Sequence, residues 1–101
     1  MKILIIDHSP KILYKILESN KIEYRIEPEI TKKNLTKEVA GYDVIVTRGR
    51  LNITKAILDK AKKLRFIGNL NAEPLMLNFD YSFKKDLKIF NPVFKNAYAD
   101  F

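Results

Sequence analysis

Short, continuous runs of β-branched residues alternate along this chain with segments of helical period, and that alternation leaves few architectures open. Ile3-Leu4-Ile5-Ile6 and Val44-Ile45-Val46 are apolar at every position, the pattern of strands covered on both faces. After the first run, Asp7 ends the strand, Ser9 is placed to cap a helix and Pro10 fits its first position. Ile12, Leu13, Ile16 and Leu17 form that helix's apolar stripe, and Ser19-Asn20 end it. Glu23 to Pro28 alternates charged with apolar residues, as an edge strand with one wet face does. Thr31 caps a short helix carrying Leu35 and Val39, closed by Gly41.

The second half repeats the scheme. Thr54 is placed as an N-cap, with Ile53 before it and Leu58 four residues after it to staple the entry turn; this helix is expected to end near Lys63. Leu64 to Ile67 reads as a fourth strand, Leu77-Asn78 as the start of a helix running to about Lys85, and Leu87 to Phe90 as a fifth strand. Strands separated by single helices must pair in parallel. The polar-faced second strand belongs at an edge and the apolar first and third in the middle. The expected fold is therefore a flavodoxin-like three-layer α/β sandwich with a parallel five-stranded sheet of order 2-1-3-4-5.

In that order the switch point lies between strands one and three, and ligands bind where the strands end. Asp7, His8 and Ser9 line one side of the expected crevice, Thr47 to Arg50 line the other, and Gly68 to Asn71 close it. The Arg48-Gly49-Arg50 turn is the candidate anion site, since two guanidinium groups there can meet a carboxylate or phosphate.

The remaining composition narrows the function classes. At 101 residues the chain forms one domain. It has no cysteine and one histidine, so neither a disulfide framework nor a zinc spacing is expected. No apolar run is long enough to cross a bilayer and no signal pattern opens the chain, which leads us to expect a cytoplasmic protein without membrane contact. The net charge of +7 raises nucleic acid as a partner. The lysines, however, stand as singles and pairs on polar helix faces and last turns, where they serve solubility and the helix dipole, so no nucleic-acid partner is expected. No Gly-rich turn follows strand one, which runs into D-H-S-P-K, and no Walker A loop occurs. A phospho-receiver acid is not expected at the end of strand three, where Thr47 and Arg48 stand instead and the arginine's charge opposes the role.

The stretch Tyr42 to Gly68, with I-V-T-R-G-R-L-N-I-T-K-A-I-L-D-K-A-K-K-L-R-F-I-G from Ile45 onward, resembles the N-terminal substrate-binding half of the D-isomer-specific 2-hydroxyacid dehydrogenases, in particular the phosphoglycerate dehydrogenase branch. M-K-I-L-I-I-D at the start, P-E-I-T-K-K-N-L, and D-Y-S-F-K-K-D-L-K-I-F-N extend the likeness over nearly the whole chain. Asn96 and Ala99 match the Asn and Ala of the family's N-x-x-A-V-A-E segment.

The resemblance implies that residues 1–92 form a substrate-binding domain and that residues 93–101 begin an interdomain linker helix or tail. It implies substrate contacts from Arg48, Gly49 and Arg50, with Gly49 in place of a serine, and from Gly68 and Asn69 after strand four. Further on, Asn71 and Glu73 replace two of the family's glycines and Leu75-Met76 replace an Asp-Asn pair. The family's His acid/base and its NAD-binding glycine turn map beyond residue 101. No catalytic residue, cofactor site or metal site is therefore expected in this chain, and alone it is expected to be inactive, with NAD implied only for full-length members. The expected ligand is a small anionic 2-hydroxy or 2-oxo acid. The expected partner is a second copy or a chain bearing a nucleotide domain. The alternative is a non-catalytic anion-binding or regulatory module derived from the same lobe. Val93, Phe94, Tyr98 and Phe101 suggest either self-association or a tail folded over the crevice.

Overall fold

The computed structural model describes residues 1–70 and 87–90, with the side chain of Phe90 left aside. The helix expected from Leu77, the altered glycine loop from Asn71 to Met76 and the segment after Phe90 lie outside the described residues.

Five parallel strands form one sheet in the order β2-β1-β3-β4-β5: β1 (Lys2–Ile5), β2 (Glu23–Ile26), β3 (Val44–Thr47), β4 (Phe66–Asn69) and β5 (Lys88–Phe90). The expected fold and strand order are both borne out. Helix α1 (Lys11–Ser19) packs on one face, where Leu17 joins Ile3, Ile5 and Val46. Helices α2 (Lys32–Glu38) and α3 (Lys55–Lys60), with a 3-10 turn at Val39–Gly41, cover the other face. There Leu35, Val39, Ile57 and Leu58 close over Leu4, Ile45 and Ile67 to form the larger core. Successive strand residues point to opposite faces, so the continuous apolar runs of β1 and β3 feed both cores at once.

Four local expectations need correction. Ser9 does not cap α1: Pro10 occupies the N-cap position with ψ 144°, without a side-chain cap, and the Ser9 hydroxyl donates to the Asp7 carbonyl. Only half of the α1 stripe is buried. Leu13 and Leu17 face the sheet, whereas Ile12 and Ile16 are 61% and 51% exposed, because a pair offset by one residue is turned about 100° around the helix. Helix α3 stops at Lys60, with Ala61 as its C-cap at φ −86°, ψ 69°. Strand β4 starts two residues later than expected and runs through Asn69. Leu64 is core, but its amide bonds back to Ala61, and Arg65 is the first residue to bond Asp43 at the end of β3's approach. Gly68 and Asn69 therefore belong to the strand and not to the loop after it.

Candidate functional site

The carboxyl ends of β1, β3 and β4 come together as the 2-1-3-4-5 order requires. Ile5 pairs with Val46, Val46 with Gly68, and Thr47 with Asn69. The chain leaves β3 through Arg48, Gly49 and Arg50, directly beside the exit from β1 at Asp7.

Asp7 organises this corner. Its carboxylate is buried, at 5% residue exposure, and it accepts from the Thr47 hydroxyl (2.9 Å), the Arg48 amide (2.6 Å) and Arg50 Nε (2.9 Å). Burying a carboxylate is tolerable only when its oxygens are met by donors in this way. Arg50 does further work with the same guanidinium: Nη2 donates to the carbonyls of Ile6 (2.8 Å) and Ile30 (3.0 Å). It thus ties the end of β1, the approach to α2 and the turn after β3 into one unit.

Gly49 adopts φ 92°, a conformation that side chains with a Cβ disfavour. Its amide donates to Thr47 Oγ1 at 3.0 Å, closing the turn. The Leu70 amide reaches the Thr47 carbonyl at 2.8 Å and holds the β4 exit against it.

This geometry separates residues that looked alike in the sequence. Arg50 is 38% exposed at its side chain and engaged through Nε and Nη2; only Nη1 has no hydrogen bond among the described residues. Arg48 is exposed, and its guanidinium has no partner among the described residues. The amides of Arg48 and Gly49 are both spent inside the turn, so the turn can offer an anion the Arg48 side chain more readily than a backbone nest. Asn69 is buried beside Thr47, while Gly68 faces the opposite side of the sheet, toward Val46. His8 is exposed at the rim. The Asp7 anchor went unrecognised in the sequence, although an acid closing a buried strand beside an Arg-Gly-Arg turn was a visible signal for it. Among the described residues, no cluster of His, Cys, Asp and Glu could hold a metal ion.

Comparison with known proteins agrees with the fold. Residues 3–91 match the model of the D-isomer specific 2-hydroxyacid dehydrogenase catalytic domain. D-3-phosphoglycerate dehydrogenase of Methanocaldococcus jannaschii is 34% identical over 68 residues, which are 67% of this chain and 13% of that protein. The solved D-lactate dehydrogenase of Salmonella superposes with a TM-score of 0.71 at 14% identity, over 90% of this chain and 29% of that one. The chain thus spans a minor part of either relative's length. With the family model matched over nearly its whole length, the chain belongs to the D-isomer specific 2-hydroxyacid dehydrogenase catalytic-domain family.

Proposed function

We propose that this chain is the substrate-binding lobe of an NAD-dependent D-2-hydroxyacid dehydrogenase of the phosphoglycerate type, taking a small anionic 2-hydroxy or 2-oxo acid at the carboxyl ends of β3 and β4. The observation that carries this reading is Arg48: an exposed, uncommitted cation set on a turn that Asp7 and Arg50 hold rigid. A planar guanidinium offers paired donors to a carboxylate or phosphate, and a fixed turn lowers the ordering cost of binding. Arg50 Nη1 is a second donor within the same turn, and Gly49 and the paired strand ends at Gly68 and Asn69 are the backbone proposed to flank the ligand.

The residues present do not fit NAD. The three glycines stand at 41, 49 and 68, too far apart for a Gly-rich dinucleotide turn. Strand β1 also delivers the buried Asp7 carboxylate where a pyrophosphate needs free amides. Hydride chemistry therefore falls to a nucleotide domain, either elsewhere in a longer chain or on a partner protein.

Calorimetry with 3-phosphoglycerate, inorganic phosphate and simple carboxylates tests the ligand. Heat of binding is expected for at least one of them and should disappear in Arg48→Ala while the melting temperature stays within about 4 °C; silence across the panel removes the reading. Surface substitutions of this kind usually change stability by less than about 0.5 kcal/mol, so a lost signal reports on binding.

A further inference from the structure

Helix α2 is gripped by a guanidinium at each end. At its start, the bond from Arg50 Nη2 to the Ile30 carbonyl (3.0 Å) fixes the residue just before the Thr31 cap. At its end, Arg25 of the edge strand β2 meets two carboxylates, with Nε 3.4 Å from Glu27 Oε2 and Nη1 3.9 Å from Glu38 Oε1. Arg25 pairs in register with Leu4 of the larger core, so its side chain rises on the α2 face.

Two acids on one guanidinium leave a donor missing. Glu27 Oε2 is buried, and its contact with Arg25 lacks hydrogen-bond geometry, so it accepts no hydrogen bond among the described residues. Glu38 is placed to supply one. Its interaction with the Glu27 carboxylate, together with partial burial, raises its pKa above the ordinary 4.5 against the opposing charge of Arg25, so the proton is held best while the two acids stay together. Tyr42 faces Arg25 from the end of the 3-10 turn, with Lys2 Nζ 5.0 Å from the centre of its ring, and these complete the polar groups around the pair.

A short, continuous path joins this cluster to the anion corner. The Ile30 amide donates to the Glu27 carbonyl (3.2 Å), closing the turn between β2 and α2, and the Ile30 carbonyl is the one that Arg50 holds. Arg50 meets Asp7 at 2.9 Å, and Asp7 accepts from the Arg48 amide. We propose that Glu27 and Glu38 form a proton-operated clasp, which by sharing one proton locks α2 against β2 and steadies Arg50 and the turn that carries Arg48. A steadier turn binds an anion at a smaller ordering cost, and by reciprocity a bound anion favours the proton. The effect on affinity rests on the reading of Arg48 as an anion site; the clasp itself does not.

Two substitutions set the clasp's limits. Glu38→Gln keeps a neutral donor for Glu27 at every pH, whereas Glu38→Ala removes it. His8→Gln is built into every chain, so that the exposed rim histidine adds no titration of its own. Without ligand, hydrogen exchange at the Ile30 amide, compared at equal pH, is expected to be about fivefold slower in Glu38→Gln than in Glu38→Ala. Equal rates overturn the clasp. Sulfate, whose charge does not change over the weakly acidic range, is then titrated by calorimetry. With Glu38 intact, binding is expected to be about fivefold tighter near pH 5 than near pH 7, while Glu38→Gln binds tightly at both and Glu38→Ala weakly at both. The same pH dependence in all three chains overturns the link to the turn. Slower exchange in Glu38→Gln with no sulfate binding at any pH supports the clasp and removes the anion reading instead.

Discussion

Two arginines separated by a single glycine carry different tasks, and what distinguishes them is a carboxylate 43 positions before the second. Arg50 holds Asp7 at 2.9 Å while Asp7 is buried, so Arg50→Ala leaves a desolvated anion with two neutral donors in place of three partners. Breaking a buried pair from one side costs about 3–5 kcal/mol; because Arg50 is partly exposed, the expected loss is nearer about 2–3 kcal/mol. Denaturant titration checks this, and Arg50→Lys should recover only part of the loss, since an ammonium cannot serve Asp7 and two carbonyls from one plane. Gly49 is constrained by conformation: Gly49→Ala forces a Cβ into φ 92° and should cost about 1–2 kcal/mol. The serine that relatives are expected to carry at this position would therefore strain the turn as it stands here. Sequence reasoning could place both arginines at a strand end. It could not tell which one the protein uses for itself, because that depends on which guanidinium reaches Asp7.

Element boundaries show the same division between local and long-range causes. The caps at Thr31 and Thr54 were readable because a side chain meets an amide three residues on, and both form, at 3.1 Å and 3.4 Å. The end of α1, expected at Ser19-Asn20 and found there, is fixed by backbone bonds and not by a side-chain cap of that kind. It closes in a Schellman arrangement: the Ile22 amide donates to Leu17, the Lys21 amide to Glu18, and Ile22 packs into the cluster that holds Leu17. The left-handed residue is Lys21 at φ 55°, where glycine is usual. Lys21→Gly should accordingly stabilise the fold by about 1 kcal/mol, seen as a higher melting temperature. Where β2 exits beside the end of α2, Glu38 and Glu27 both face Arg25, and the interaction with the Glu27 carboxylate, together with partial burial, raises the Glu38 pKa above the ordinary 4.5, while Arg25 opposes the shift. A raised folded value means that the protonated form favours folding. That contribution is complete below the unfolded pKa and is lost as pH rises through the folded one. Glu38→Gln keeps a neutral hydrogen-bonding partner and should flatten the stability profile over the weakly acidic range, as melting curves taken across it would show.

For the whole molecule, charge is the property that the fold leaves least balanced. Nineteen basic residues face twelve acidic ones, and the ion pairs among the described residues are mostly exposed contacts such as Lys55 with Asp59, which contribute little. Excess positive charge on a small surface opposes compaction, and salt relieves it. The melting temperature should therefore rise between low and moderate sodium chloride, where the screening length falls from about 30 Å toward 10 Å or less. The Asp7–Arg50 contact, short and buried on the Asp7 side, should respond less than the exposed pairs. Screening is blind to the identity of the anion, whereas a site is not. At matched ionic strength, phosphate should raise the melting temperature further than chloride, because a ligand that binds only the folded state stabilises it by RT ln(1 + [L]/Kd). Arg48→Ala should close that gap and leave the chloride response intact. If phosphate and chloride act alike in the unmodified chain, the stabilisation is diffuse, and Arg48 is one surface charge among nineteen basic residues.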